Sequence, residues 1–196
     1  MAEREPPKEA NPEAESILER EFVESVLDRA KEYLMQDDSF EPAIFLQFEN
    51  QDRATIVLKG FPNSVAGRQA CVASIGRSMH RAGKRIEEAL FVSESWFVSR
   101  KKPEQFSPDV RPSQHPNRKE GIIIVGRNAD RMRQTFVIQP FNRDIELLPV
   151  FIDKEVEEYN TPVGNNGLRG DGLVDYLFPP KIFSVQSGEK WDVIII

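Results

Sequence analysis

Apolar residues recur at helical spacing near the start of the chain: Leu18, Phe22, Val26, Ala30 and Tyr33, with Val23, Leu27 and Leu34 beside them. The stripe predicts an amphipathic helix of about six turns, from Asn11 to about Gln36. Asn11 is suited to cap it and Pro12 to its first position. The period then changes. "AIFLQFEN" and "RATIVLKG" are short β-rich runs separated by Gln51-Asp52, a hairpin signal with a poorly suited turn that favours a longer loop. Helical spacing returns at Val72, Ile75 and Met79, flanked by Ala66, Ala70, Ala73 and Ala82. Asn63 or Ser64 can cap this second helix. Gly83 suits a left-handed closing position, and the basic residues around it suit the negative end of the helix dipole.

Next, "LFVSESWFV" alternates with a period of two. Leu90, Val92, Glu94, Trp96 and Val98 share one face; Ala89, Phe91, Ser93, Ser95 and Phe97 share the other. Both faces are mainly apolar, which predicts a central strand with a carboxylate inside it. A proline-rich polar loop over 100–118 follows. "EGIIIVGR" and "MRQTFVIQPF" then read as two strong strands joined by "NAD", and "DIELLPVFID" as a short extended piece. After Val150 the chain turns glycine- and asparagine-rich, with one helical turn at "LVDYLF" and short strands at "KIFSV" and "WDVIII".

The order α-β-β-α-β-β-β predicts an α+β domain: a five- to six-stranded, largely antiparallel sheet with two main helices on one face. Residues 1–11 read as a disordered acidic N-terminus, 12–150 as the core domain, and 151–196 as an irregular C-terminal extension packing on the same domain.

Composition narrows the functional classes. The 196 residues are 39% hydrophobic and 30% charged, with net charge −6. One cysteine, Cys71, excludes an intramolecular disulfide and a cysteine-rich zinc site. It lies among Ala70, Val72 and Ala73 on the second helix and reads as an inert packing thiol. The acidic N-terminus lacks the apolar core of a signal peptide, and no apolar run approaches the length of a membrane span. A cytoplasmic protein without membrane contact is the expectation.

Charge is uneven along the chain. Residues 1–41 carry a net −8, residues 100–133 a net +5 and residues 145–196 a net −5. Residues 67–85 carry five basic side chains and no acidic one. The glutamate-rich first helix and the basic second helix are therefore complementary, either within a chain or between chains. The basic middle also suits an anionic partner, although the overall acidity argues against nucleic acid.

Candidate chemistry centres on two segments. A carboxylate in a central strand is costly unless paired. Glu94 is therefore expected to bond an arginine of the following loop, Arg111 or Arg118. The other segment, "RPSQHPNRKE", concentrates Arg111, Ser113, His115, Arg118 and Glu120 around prolines, a donor-rich loop able to bind an anion or staple two elements. Together, "SESW" and "RPSQHPNRKE" resemble the E-x-W and R-P-S-x-H-P-x-R-x-E segments of an uncharacterised bacterial protein family. The resemblance covers roughly residues 87–140 and implies no activity.

Glu94 and the "QHP" at 114–116 are also similar to part of the signature of the JAB/MPN metal-dependent isopeptidases. Ser113 stands where the first histidine of H-x-H-P belongs, and Gln114 takes the x position. The only other histidine is His80, on the second helix. No G-x-S-x-G, Walker A or G-x-G-x-x-G occurs, and "GNNGLRGDG" follows no clear strand. The sequence predicts a non-enzymatic binding or assembly protein, with self-association into a homo-oligomer as a candidate, and no cofactor and no metal. The alternatives are a metal-dependent hydrolase using Glu94 and His115, and an anion- or nucleic-acid-binding module.

Overall fold

The computed structural model describes residues 12–37, 39–98, 112–129, 133–162 and 173–178. Strands β1 (Ala43–Phe48) and β2 (Arg53–Val57) form the expected hairpin. Its turn spans Glu49–Asp52. The Phe48 N–H donates to the Asp52 carbonyl at 2.9 Å, and Gln51 takes a left-handed φ of 64°. Strand β3 (Ile86–Phe97) follows the second helix. Strands β4 (Lys119–Asn128) and β5 (Arg133–Arg143) come next, then β6 (Pro149–Phe151) and β7 (Val156–Pro162).

All pairings are antiparallel, in the order β2-β1-β3-β4-β5-β6, with β7 also on β5. β6 and β7 occupy consecutive lengths of one β5 edge. Asn142 faces Val150 and Phe141 faces Phe151, while Ile138 faces Val156 and Val137 faces Glu157. Between them the chain bulges. The Ile152 N–H still donates to the Pro140 carbonyl and the Glu155 N–H to the Ile138 carbonyl, each at 3.0 Å. The buried Gln139 side chain fills the bulge by donating to the Ile152 carbonyl. Among the described residues the sheet is thus six strand positions wide, and the α+β class, the antiparallel pairing and the two helices are as the sequence predicts.

Placement of the helices differs from that expectation. Helix α1 (Pro12–Asp37) packs Phe22, Val23, Val26, Leu27, Ala30 and Leu34 onto the sheet face made by Phe45, Leu90, Val92, Ile122, Ile124 and Val137. Helix α2 (Val65–Arg81) packs Val72, Ile75 and Met79 against Ile44, Leu46, Phe48 and Ala89. Successive strand residues point to opposite faces, so the helices lie on opposite sides of the sheet, not on one. The cause is the run of apolar side chains on both faces of β1 and β3. One helix can dry only one face, and each fully buried Leu or Phe left exposed would forfeit about 1.5–3 kcal/mol.

Local signals set the helix ends. Ser64 caps α2, its Oγ accepting from the Gly67 N–H at 3.1 Å. At the other end Gly83 adopts φ +70°, and the Lys84 N–H closes back onto the Met79 carbonyl at 3.0 Å, a Schellman closure. A 3-10 turn at Leu173–Leu177, where a helical turn is expected, packs Leu173, Val174 and Leu177 into the α2 layer. It sits so close that a Cβ on Gly76 would lie 2.2 Å from the Leu177 carbonyl oxygen. α1 is tied to the β6–β7 edge by Lys154 on Glu24 and by Arg20 on Glu157 at 3.3 Å.

Strand β7 has no counterpart in the apolar pattern. "VEEYNTP" is too polar to read as a strand, and the backbone ladder to β5 holds it. The expected strands at "KIFSV" and "WDVIII", the N-terminal residues 1–11 and most of the loop over 100–118 lie outside the described residues.

Candidate functional site

The α1 face of the sheet ends in a polar cluster. Register puts Glu94 on β3 opposite Ile122, Trp96 opposite Glu120, and Glu120 opposite Phe141, two residues from Arg143 on β5. All share one face, so a long side chain on β5 can reach across β4 to β3. Arg143 does so. Its Nη2 donates to Glu94 Oε1 at 3.1 Å and its Nε to Glu120 Oε2 at 3.4 Å. Its Nη1 donates to the Leu147 carbonyl at 3.2 Å, and its guanidinium lies 5.4 Å from the Phe141 ring centroid. The side chains of Glu94, Glu120 and Arg143 are 17%, 18% and 23% exposed, enough burial to strengthen their interaction well beyond its value in water.

Two carboxylates on one guanidinium leave an excess negative charge when both ionise. Burial, together with the hydrogen bond and charge of Glu120, pushes the Glu94 carboxyl up to about 7, against the opposing pull of Arg143. Glu94 is therefore about half protonated at neutral pH, and mainly the neutral acid below it.

Glu94 thus has an arginine partner, as the sequence suggests, but the arginine comes from β5 and not from the loop. Arg118 instead lays its guanidinium over the Trp96 ring, 4.9 Å from the centroid. Trp96 is 42% exposed there. Ser113 is exposed in a 3-10 turn at Pro112–Gln114. His115 is half-buried. Its Nδ1 accepts from the Asn117 N–H at 3.1 Å, and its carbonyl accepts from the Arg118 N–H at 3.1 Å. Arg111 lies outside the described residues.

His80 sits exposed in the last turn of α2, across the sheet from Glu94, so the fold does not bring these two together. Cys71 is half-buried on the same helix. Among the described residues no group of three or more His, Cys, Asp or Glu side chains is arranged to hold a metal ion. None of the described helices is long and apolar enough to cross a membrane.

The turn beyond Arg143 is built as firmly. Asp144 Oδ1 accepts from the N–H groups of Glu146 at 2.8 Å and Leu148 at 2.9 Å. The Asp144 N–H donates to the Leu148 carbonyl at 3.0 Å. Leu147 is held at φ +65°, and the turn presents Ile145 fully exposed and Leu147 62% exposed.

Sequence reasoning missed Arg143 and took Glu120 only as part of the loop segment, because both stand at strand ends, where charged residues are ordinary. Their shared face emerges only from the register of β3, β4 and β5. It also missed Arg127, a buried arginine whose Nε lies 3.2 Å from Asp175 Oδ1 and whose Nη1 donates to Gln134 at 3.0 Å, tying β4 and β5 to the 3-10 turn under α2. Comparison with known proteins gave no match to any family model, curated protein or solved structure.

Proposed function

We propose that this chain is a non-enzymatic binding and assembly protein. The observation that carries the reading is the threefold engagement of Arg143 with Glu94, Glu120 and the Leu147 carbonyl. It satisfies the cluster from within, as a clasp joining three strands to a turn. A catalytic carboxylate needs a reacting group within hydrogen-bond reach and a partner to exchange the proton with. Here the nearest partners are another carboxylate and a permanently charged arginine. The imidazole of His115 is engaged by a backbone N–H of its own turn. The turn that the clasp holds carries exposed Ile145 and Leu147, side chains suited to contact with another macromolecule. A cytoplasmic location, consistent with the single cysteine, belongs to the same proposal.

The alternative, a metal-dependent hydrolase on Glu94 and His115, makes an opposite forecast. Bound divalent metal is measured in the purified wild type, in Glu94→Gln and in His115→Ala. The assembly reading expects sub-stoichiometric metal in all three proteins and an altered pH dependence of stability in Glu94→Gln. Stoichiometric zinc in the wild type, lost in either variant, overturns it.

A further inference from the structure

The two helices carry opposite charge, and the sheet keeps them apart. α1 has eight acidic and three basic residues over Pro12–Asp37, whereas α2 has three arginines, one histidine and no acid over Val65–Arg81. With one helix on each face and a layer spacing of about 10 Å, their axes are about 20 Å apart and face away from one another. Complementary charges that cannot meet within a chain can meet between chains. We propose that chains stack head to tail, the acidic face of α1 in one copy seating on the basic face of α2 in the next. This inference rests on the assembly reading and names the partner as a second copy of the chain.

The available charges fit the arrangement. Glu21, Asp28 and Glu32 are exposed on α1, on the side away from buried Phe22, Val23, Val26, Leu27 and Ala30. Glu21 and Glu32 have no ion-pair partner among the described residues, whereas Glu24 is taken by Lys154. At the far face, Lys84 and Arg85 are already paired with Asp52 at 3.6 Å and Glu49 at 3.3 Å. Arg77 and Arg81 are exposed, one helical turn apart, and without an ion-pair partner among the described residues. They are the cations that α2 has left to offer.

Shape agrees with charge. Ala66, Ala70 and Ser74 are exposed on the α2 line that leads to Arg77 and Arg81. Small side chains there let a second helix approach within the usual 8–10 Å. α1 brings exposed apolar surface to such a contact in Met35, next to the acidic line. The two patches differ, so the contact is heterologous and generates a stack or a ring rather than a closed dimer. The net charge of −6 favours this partner over nucleic acid.

The test is sedimentation velocity on the intact chain with two charge-reversed variants, Glu21→Lys/Glu32→Lys and Arg77→Glu/Arg81→Glu, after circular dichroism and melting confirm that both are folded. The wild type is expected to associate at low salt and to dissociate at about 1 M salt, where the Debye length falls to about 3 Å. Each variant alone should associate on the order of a hundredfold more weakly, and an equimolar mixture of the two should recover association, because reversal of both faces restores opposite charge. A wild type that stays monomeric at low salt overturns the proposal. So does association that neither reversal changes, which would leave the assembly reading intact and move the contact elsewhere, the Ile145–Leu147 turn being next to examine. Binding of a short oligonucleotide that is lost with Arg77→Glu/Arg81→Glu, in an otherwise monomeric protein, assigns the basic face to nucleic acid and likewise overturns it. Failure of the assembly reading itself is read separately, from bound metal.

Discussion

Arg143 and Glu94 stand on β5 and β3 with β4 between them, yet the guanidinium and carboxylate meet at 3.1 Å. The backbones of alternate strands are about 9.6 Å apart. Only a side chain as long as arginine, lying flat across the sheet, spans that gap, and Glu120 on the intervening strand is the natural stop beneath it. This contact turns three separate strand ends into one unit, and its chemistry sets the pH response of the fold.

The first prediction concerns Glu94. Its folded pKa, about 7, lies above the ordinary 4.5. The native state therefore holds this proton more tightly than the unfolded chain. The stabilisation is full below 4.5, falls as pH rises through the window up to about 7, and is gone above it. The shift alone would correspond to about 3.4 kcal/mol, and solvent screening at a half-buried site reduces the expected change to about 1–2 kcal/mol. Glu94→Gln mimics the protonated acid: its amide can donate to Glu120 and accept from Arg143. Urea unfolding should find it close to wild type near pH 5 and about 1–2 kcal/mol more stable than wild type near pH 8.

Arg143→Met removes the cation that bonds both carboxylates and the hydrogen bond to the Leu147 carbonyl. It should cost about 2–4 kcal/mol near pH 8, above the Glu94 pKa of about 7, where the wild-type Glu94 carboxylate relies on this counter-ion. The loss should shrink at acid pH. Since Arg143 pulls the Glu94 pKa down, the pH window of declining stability should also move above 7 in the variant. A loss equal at all pH values would show that the arginine acts through packing on Phe141 alone.

Gly76 is a packing prediction. The added methyl of Gly76→Ala would meet the Leu177 backbone oxygen at 2.2 Å and its carbonyl carbon at 2.7 Å, and backbone cannot swing aside as a side-chain tip can. The turn at Leu173–Leu177 must then lift off α2. Thermal unfolding should show about 2 kcal/mol of destabilisation, and amide exchange should quicken in the turn before it does in the sheet.

At Leu147 the expected sign is opposite. A leucine at φ +65° with a mainly exposed side chain carries backbone strain and little packing. Leu147→Gly should raise stability by about 0.5–1 kcal/mol in a melt, the relief of left-handed strain exceeding the entropy of the freer unfolded chain. A destabilised variant would mean that the leucine side chain packs more than its exposure indicates.

Arg118→Ala tests the stacked pair. Removing the guanidinium from the Trp96 ring should cost about 0.5–1 kcal/mol. Trp96 and Trp191 are the two tryptophans of the chain, so a Trp191→Phe background isolates the signal. In that background the emission should shift to the red and acrylamide should quench it more strongly.

The sequence by itself determined the elements whose cause is local. Ser64 and Gly83 bound α2 because a hydroxyl cap and a left-handed glycine act within one turn. The period-two runs at β3, β4 and β5 and the wide stripe on α1 appear where they are read, because burial on one face forces that spacing. Even the need of Glu94 for an arginine was legible, since an unpaired carboxylate in a central strand is too costly.

Only the tertiary structure decided which arginine, and on which faces the helices lie. Arg118 is nearer in sequence, but it follows the turn at His115 and stacks on Trp96, while antiparallel register carries Arg143 back to the same sheet end, 49 residues from Glu94. The apolar runs of β1 and β3 required cover on two sides without naming which helix supplied each. β7 was invisible for the same kind of reason: backbone hydrogen bonds to β5 place it, and those bonds read no side-chain pattern. What is local in the physics was written along the chain; what depends on register and on the two sides of a sheet exists only once the chain has closed on itself.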